Sequence, residues 1–98
     1  MRLFNRATLR DFWRRHPDAQ HPLRAWLAEV EKGSWTGPAE VRARYRTADF
    51  IEGDRIIFNV GGNKYRLVVH VAYEYRRVLI KFVGTHREYD RIDAETIR

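Results

Sequence analysis

The sequence predicts an α+β domain in which an N-terminal helical hairpin packs on a small antiparallel sheet, with a short C-terminal helix. Apolar residues in the first third of the chain recur at helical spacing, whereas residues 56–83 alternate with a period of two. The 98 residues suffice for one modest hydrophobic core. Residues 1–98 are therefore expected to form a single domain.

The chain is expected to begin with a short edge strand over residues 1–4, followed by a helix that Asn5 caps. Leu9, Phe12 and Trp13 share one face of this helix, and Pro17 ends it. Four arginines of the helix are interpreted as a solvated basic face, namely Arg6, Arg10, Arg14 and Arg15.

A second helix is predicted from apolar residues at i, i+3, i+4 and i+7, namely Leu23, Trp26, Leu27 and Val30. Asp18 or His21 can cap this helix. Pro22 lies in its first turn, and Gly33 is the expected stop. The tryptophans at helical spacing are interpreted as core residues rather than as base-stacking platforms. Residues 36–45 open either a third short helix or an irregular crossover, and residues 47–54 have the polar character of a loop.

Three strands are expected to follow as a meander. Gly61, Gly62 and Asn63 supply the positive-φ residues of the first hairpin. A tight turn at Glu74 and Tyr75 joins the next two strands. This turn sets three apolar pairs: Val71 with Val78, Val69 with Ile80, and Leu67 with Phe82.

The same register places polar and cationic side chains on the sheet face opposite the core. They are Asn59, Lys64, Arg66, His70, Arg77 and Lys81. Lys81 is expected to lie diagonal to Arg66 and His70. A surface of this kind suits RNA, and we interpret Asn59, Lys64, His70 and Arg77 as RNA-binding residues.

The composition narrows the classes of function. A net charge of +6 favours a polyanion or an acidic protein as partner. The chain has no cysteine, which excludes disulfides and thiolate metal sites and makes a cytoplasmic location the simplest expectation. No apolar run is long enough to span a membrane. The four histidines show no metal-binding spacing, and the glycine pair lacks the rest of a phosphate-binding loop, so neither a metal nor another cofactor is expected.

Residues 85–90 form a cluster with acid–base character. Thr85 and Glu88 have the spacing of a capping box at the start of a short helix. The helix would hold His86 beside Tyr89 and Asp90. Histidine side chains titrate near neutral pH, which suits proton transfer, and Asp90 could fix the tautomer of the ring. A histidine that only supports the helix start is the alternative.

A metal-free set of Arg66, Lys81, His86 and Tyr89 fits the cleavage of RNA by its own 2′-hydroxyl group. That reaction needs a base at the attacking oxygen, an acid at the leaving oxygen, and fixed positive charge around the phosphorus. Side chains of this set can provide all three.

Residues 58–67 (FNVGGNKYRL) and 83–90 (VGTHREYD) closely resemble the HigB toxins of bacterial toxin–antitoxin pairs, which belong to the RelE/ParE-like superfamily. The likeness extends over nearly the whole chain. It implies N-terminal helices on an antiparallel sheet, and a growth-inhibiting endoribonuclease that cuts messenger RNA, commonly on the translating ribosome. It also implies a partner, the helix-turn-helix antitoxin HigA, which neutralises the toxin and represses the shared operon.

By position, Arg66, Lys81, His86 and Tyr89 fall where such toxins place substrate-binding and catalytic groups. The resemblance does not assign the base and the acid among them. Two alternatives stay open, a ParE-like toxin that inhibits DNA gyrase and a non-catalytic RNA-binding module, because one fold can host several activities. The complete set of four residues favours the ribonuclease.

Overall fold

The computed structural model describes residues 1–98 and confirms the α+β class. The elements follow one another as β1 (Arg2–Phe4), α1 (Arg6–Arg15), α2 (Gln20–Lys32), α3 (Pro38–Arg44), β2 (Asp49–Ile51), β3 (Arg55–Val60), β4 (Tyr65–Ala72), β5 (Arg77–Thr85) and α4 (His86–Tyr89). Residues 38–44 thus form the short helix rather than the crossover. No helix is both long and apolar enough to cross a membrane.

The five strands form one sheet in the order β1-β5-β4-β3-β2. The last four strands pair antiparallel, and the edge strand β1 adds a parallel pairing with β5. The loop expected over residues 47–54 is wrong in part, because β2 forms there and pairs Phe50 with Ile56. Gly53 and Asp54 have φ of 77° and 57°, and this left-handed backbone makes the hairpin turn between β2 and β3.

The core lies between the helices and one face of the sheet. All the apolar residues predicted on the core-facing side of α2 belong to it, together with Leu9 and Phe12 of α1. Trp26 and Trp35 are buried, and Trp13 packs against the core while partly exposed. The interpretation of the tryptophans as core residues is confirmed.

The helix caps differ from the prediction although the helix ends agree with it. Asn5 precedes α1 in a left-handed conformation, φ 71°, and its Nδ2 donates to the Ile80 carbonyl at 3.1 Å instead of capping the helix. Neither Asp18 nor His21 caps α2, which continues from a 3₁₀ turn over Pro17–Ala19. The Asp18 carboxylate instead accepts hydrogen bonds from other side chains, because a tertiary partner competes with the local cap.

The register between β4 and β5 agrees with the prediction only near the loop that connects the two strands. Val71 pairs with Val78 and Val69 with Ile80, but Leu67 pairs with Val83. The predicted pairing of Leu67 with Phe82 is wrong, because a bulge leaves Lys81 without a partner. The connection is also wider than a tight turn, with a 3₁₀ turn over residues 73–75 and then Arg76 at φ 54°.

The bulge changes which side chains share a face. Ile80 and Val83 both belong to the core. Two residues rather than one lie between these core positions, so Lys81 and Phe82 both turn to the opposite face of the sheet. We call this opposite face, represented by Arg66, Val68 and His70 of β4, the second face.

Candidate active site

The second face is polar at its two ends and covered at its centre. Ile57 and Val68 are buried but do not belong to the main core. The C-terminal segment lies over β3 on this side, where Arg55 Nη1 donates to the carbonyls of Ala94 at 2.9 Å and Ile97 at 2.5 Å. The expectation of one continuous polar surface is therefore wrong at the centre, and the candidate site occupies one end.

Arg66 marks that end. It pairs with Asn59 on β3 and with Gly84 on β5. Its Nη1 donates to Asn63 Oδ1 at 2.7 Å, and its Cζ lies 5.9 Å from the centre of the Tyr89 ring. All four ion pairs of the molecule involve other residues. The guanidinium charge of Arg66 is therefore available to an anion.

The capping box predicted at Thr85 is confirmed, and it fixes α4 at the end of β5. The Glu88 amide donates to Thr85 Oγ1 at 3.2 Å, and Glu88 Oε1 accepts from the Thr85 amide at 2.9 Å. The hydrogen bond from the Thr85 backbone lowers the pKa of Glu88, since it stabilises the carboxylate. This first turn presents His86 and Tyr89 beside Arg66.

The ring of His86 contacts the turn between β3 and β4. Its Nε2 is hydrogen bonded to the Asn63 carbonyl. A carbonyl only accepts, so Nε2 carries the proton, and in the neutral ring Nδ1 is left as the acceptor. The exposed Asp90 carboxylate makes no hydrogen bond with the His86 ring, and only the Asp90 backbone amide donates to the His86 carbonyl, at 2.9 Å. The Asn63 carbonyl therefore orients the ring in this structure.

Tyr89 lies half-buried over the guanidinium of Arg66. Burial raises the pKa of its phenol, and the negative charges of Asp49 and Asp90 raise it further against the opposing effect of Arg66. The phenol therefore keeps its proton at neutral pH and can donate it.

The remaining candidates divide into near and distant ones. Asn59 lies beside Arg66, and its Nδ2 donates to the Thr47 carbonyl at 2.9 Å. Lys81 is half-buried, forms no ion pair, and lies next to Val68, about 7 Å along β4 from Arg66.

Two of the predicted RNA-binding residues lie away from this group, and a third is engaged in an ion pair. His70 is about 13 Å from Arg66 along β4, and Arg77 lies opposite Ala72, about 20 Å away. Lys64 belongs to the turn between β3 and β4 and pairs with Asp18 at 2.5 Å. The structure thus gathers Asn59, Arg66, His86 and Tyr89, with Lys81 one step along the strand.

Comparison with known proteins identifies the family. The HigB toxin model, described as the RelE-like toxic component of a toxin-antitoxin system, matches residues 19–92, which include every candidate site residue. The chain belongs to the HigB toxin family. It is 32% identical over 96 residues to the mRNA interferase toxin HigB of Escherichia coli K12, covering 96% of this chain and 92% of that protein. The mRNA interferase HigB of Shigella flexneri shows the same identity and coverage. That of Escherichia coli O6:H1 (strain CFT073) is 21% identical over 94 residues, 94% of this chain and 91% of that protein.

Two residues of this candidate site were missed in the sequence. Gly84 lies opposite Arg66, and a Cβ there would come within 2.6 Å of Phe82 Cζ. Any larger residue at position 84 would therefore force the Phe82 ring to shift. A lone glycine just before a capping threonine is a signal that could have indicated this position. Asn63 joins Arg66 to His86, and no local pattern distinguishes it from an ordinary turn residue.

Proposed function

We propose that this chain is the toxin of a type II toxin–antitoxin system and acts as an endoribonuclease that cuts messenger RNA. The relatives named as mRNA interferases support this proposal, since they match almost the whole chain. The single observation that carries it is an arginine without a carboxylate partner that lies beside a protonated phenol and a histidine. These groups meet at one end of the second face.

Arg66 is the proposed phosphate-binding group. A guanidinium can donate two parallel hydrogen bonds to a phosphate, and it cannot lose its proton at any physiological pH. Negative charge grows on the phosphate oxygens as the 2′-hydroxyl attacks, so a fixed cation stabilises the transition state more than the ground state. Lys81 on β5 supplies a second positive charge, about 7 Å from Arg66 in the direction of the strands.

His86 is the first candidate for proton transfer. Its Nδ1 is the free acceptor of the neutral ring, so it can take the proton of the 2′-hydroxyl. Tyr89, which stays protonated, positions the substrate or shares proton transfer by donating to the leaving 5′-oxygen. These roles need no metal, because base, acid and positive charge all come from side chains.

The proposal extends to the partners. A toxin of this family has an antitoxin, which we propose to be a HigA-like helix-turn-helix protein. The substrate is messenger RNA in the cytoplasm, bound on the translating ribosome. The net charge of +6 supports a polyanionic substrate of this kind.

Expression of the chain alone in bacteria tests the function. We expect growth to stop and messenger RNA fragments to accumulate, and co-expression of the adjacent antitoxin gene to restore growth. Arg66→Ala, expressed to the same soluble level, is the matched control and should be harmless. Growth arrest with intact messenger RNA and inhibited gyrase would contradict the ribonuclease and favour the ParE-like alternative.

A further inference from the structure

An exposed aromatic and cationic corner lies at the end of the sheet away from α4. Tyr75 is the one large apolar side chain that the fold leaves exposed, at 65% of its surface. Arg77 Cζ lies 5.5 Å from the centre of the Tyr75 ring and 5.9 Å from that of Phe4. Arg2 Cζ lies 5.6 Å from the Phe4 ring. We call Arg2, Phe4, Tyr75 and Arg77 the corner patch.

The strands of the corner patch share the second face with the candidate active site. Leu3 pairs with Val78 and packs on the core, so its neighbours Arg2 and Phe4 turn to the second face. Arg77 joins them, because it pairs with Arg2 and precedes the core residue Val78.

A track along β5 links the two sites. It runs about 20 Å from Arg66 to the level of Arg77. Between them His70 is half-buried, so a further polar group lies along the way. Val68 is buried at the centre of the face, whereas Leu79, Lys81 and Phe82 of β5 are only partly buried, so the track follows β5.

The chemistry of the corner patch suits an unpaired nucleotide. Neither Arg2 nor Arg77 forms an ion pair, and Arg2, Tyr75 and Arg77 are exposed. An exposed ring offers a face on which a base can stack, and an adjacent guanidinium can contact the phosphate. The cation–π contacts hold Arg77 near both rings before any ligand arrives, so less side-chain entropy is lost on binding.

We propose that the corner patch is a remote subsite for the RNA that the active site cuts. Tyr75 stacks on an unpaired base of the bound strand, while Arg2 and Arg77 contact its phosphates. The inference rests on the proposed function for the identity of the ligand as RNA. An acidic protein would satisfy the arginines but would not explain the exposed ring or the continuity with Arg66.

A non-cleavable RNA tests this subsite separately from catalysis. The probe is a fluorescent 2′-O-methyl oligoribonucleotide of mixed sequence, which lacks the attacking hydroxyl, and binding is followed by anisotropy. Lengths of about four and about sixteen nucleotides are compared, since the range brackets ordinary single-strand sites. The longer RNA should bind wild type more tightly, because it can contact both sites without being fully extended.

Substitutions at the corner should remove that advantage. We expect Tyr75→Leu to weaken binding of the longer RNA about fivefold or more, which corresponds to the lower end of the free energy of a base–aromatic contact. Tyr75→Phe keeps the aromatic ring and should bind like wild type. Arg77→Ala should reduce the salt dependence of RNA binding by the equivalent of about one phosphate contact. Arg10→Ala, which removes an exposed arginine from the helical side, is the charge-matched control and should have little effect.

Equal binding of the longer RNA by wild type and Tyr75→Leu would overturn the subsite. If Tyr75→Leu lost affinity for polyglutamate to the same extent as for RNA, the subsite would also be overturned. Polyglutamate has charge but no base to stack, so this result would indicate charge attraction alone. An absence of RNA cleavage by wild type would contradict the proposed function, yet the binding results would still decide the subsite, because the probe is never cut.

Discussion

Asn63 connects the two halves of the candidate active site. Its side-chain oxygen accepts from Arg66, and its backbone carbonyl binds the ring of His86. It adopts φ 77°, a left-handed conformation that asparagine tolerates better than most residues. A single turn residue thus orients both the proposed phosphate-binding cation and the proposed proton-transfer group.

Arg66→Ala should abolish cleavage without unfolding the protein. The side chain makes one hydrogen bond and no ion pair, so its loss costs the fold little, whereas the phosphate loses its bidentate partner. Arg66→Lys should also cleave RNA poorly, because an ammonium group cannot donate the two parallel hydrogen bonds of a guanidinium. Cleavage rates are compared at equal folded concentration, established by circular dichroism, with Arg10→Ala as control. Full activity of Arg66→Ala would remove it from the site.

His86→Ala and Tyr89→Phe separate the two candidates for proton transfer. Loss of a general acid or base lowers the rate by about a hundred- to ten-thousand-fold. Single-turnover rates across pH should show a histidine ionisation in wild type that His86→Ala lacks. The Tyr89 phenol should not contribute an ionisation near neutral pH, because burial raises its pKa above the ordinary value of 10.0.

The alternative for His86 makes a different prediction. A histidine that only supports the helix start would give His86→Ala a lower melting temperature but a nearly normal rate per folded molecule. That result would transfer the catalytic role to Tyr89, Lys81 and Arg66, with fixed positive charge as the main source of catalysis. Tyr89→Phe keeps the ring over Arg66, so a fall in its rate reports on the hydroxyl group alone.

At the scale of single elements, α4 is too short to be stable by itself and depends on its anchors. The capping box holds its start, and the turns that follow lead to the segment that Arg55 binds through the carbonyls of Ala94 and Ile97. Tyr89 lies between these two points of attachment. Its position over Arg66 is therefore determined from both sides along the chain.

The capping carboxylate makes stability depend on pH. The pKa of Glu88 lies below its ordinary value of 4.5 in the fold, so it stabilises the protein above that value and ceases to do so as pH falls through the lowered pKa. Glu88→Gln should cost roughly 0.5 kcal/mol at pH 7 and less at pH 3. Urea unfolding at both pH values measures the difference, and Glu95→Gln is the exposed control. An equal cost at both values would show that charge is not involved.

At the scale of the whole molecule, the sequence predicted the core far better than the contacts between distant elements. Helical spacing identified the apolar face of α2, and the confirmed capping box needed only Thr85 and Glu88, because both signals are local. The bulge at Lys81 was missed since Phe82 and Val83 are both apolar, and strict alternation selects the wrong one for the core. Two side chains expected as caps have distant partners instead, as Asn5 does at Ile80.

The same division holds for the candidate site. The pairing of residues 58–60 with residues 65–67 and the helix after Thr85 were enough to bring Arg66 near His86 and Tyr89. The link through Asn63 and the covering of the second face by the C-terminal segment depend on contacts between residues far apart in sequence. No periodicity encodes such contacts.

The products of the whole reaction distinguish attack by the 2′-hydroxyl from attack by water. Purified protein should yield a 2′,3′-cyclic phosphate or 3′-phosphate and a free 5′-hydroxyl, with no divalent metal added. End-group analysis by mass spectrometry, with and without a chelator, measures both features. Recovery of 5′-phosphate ends from a reaction that the chelator stops would contradict the proposed mechanism.

The strand order has a consequence for how the protein is made. β5 lies between β1 and β4, so the sheet stays divided until residues 77–85 are available to join its two parts. Strands that pair over such a long separation fold late. The groups of α4 leave the ribosome later still. A nascent chain that already carries Arg66 therefore has no assembled candidate site until α4 has also left the ribosome.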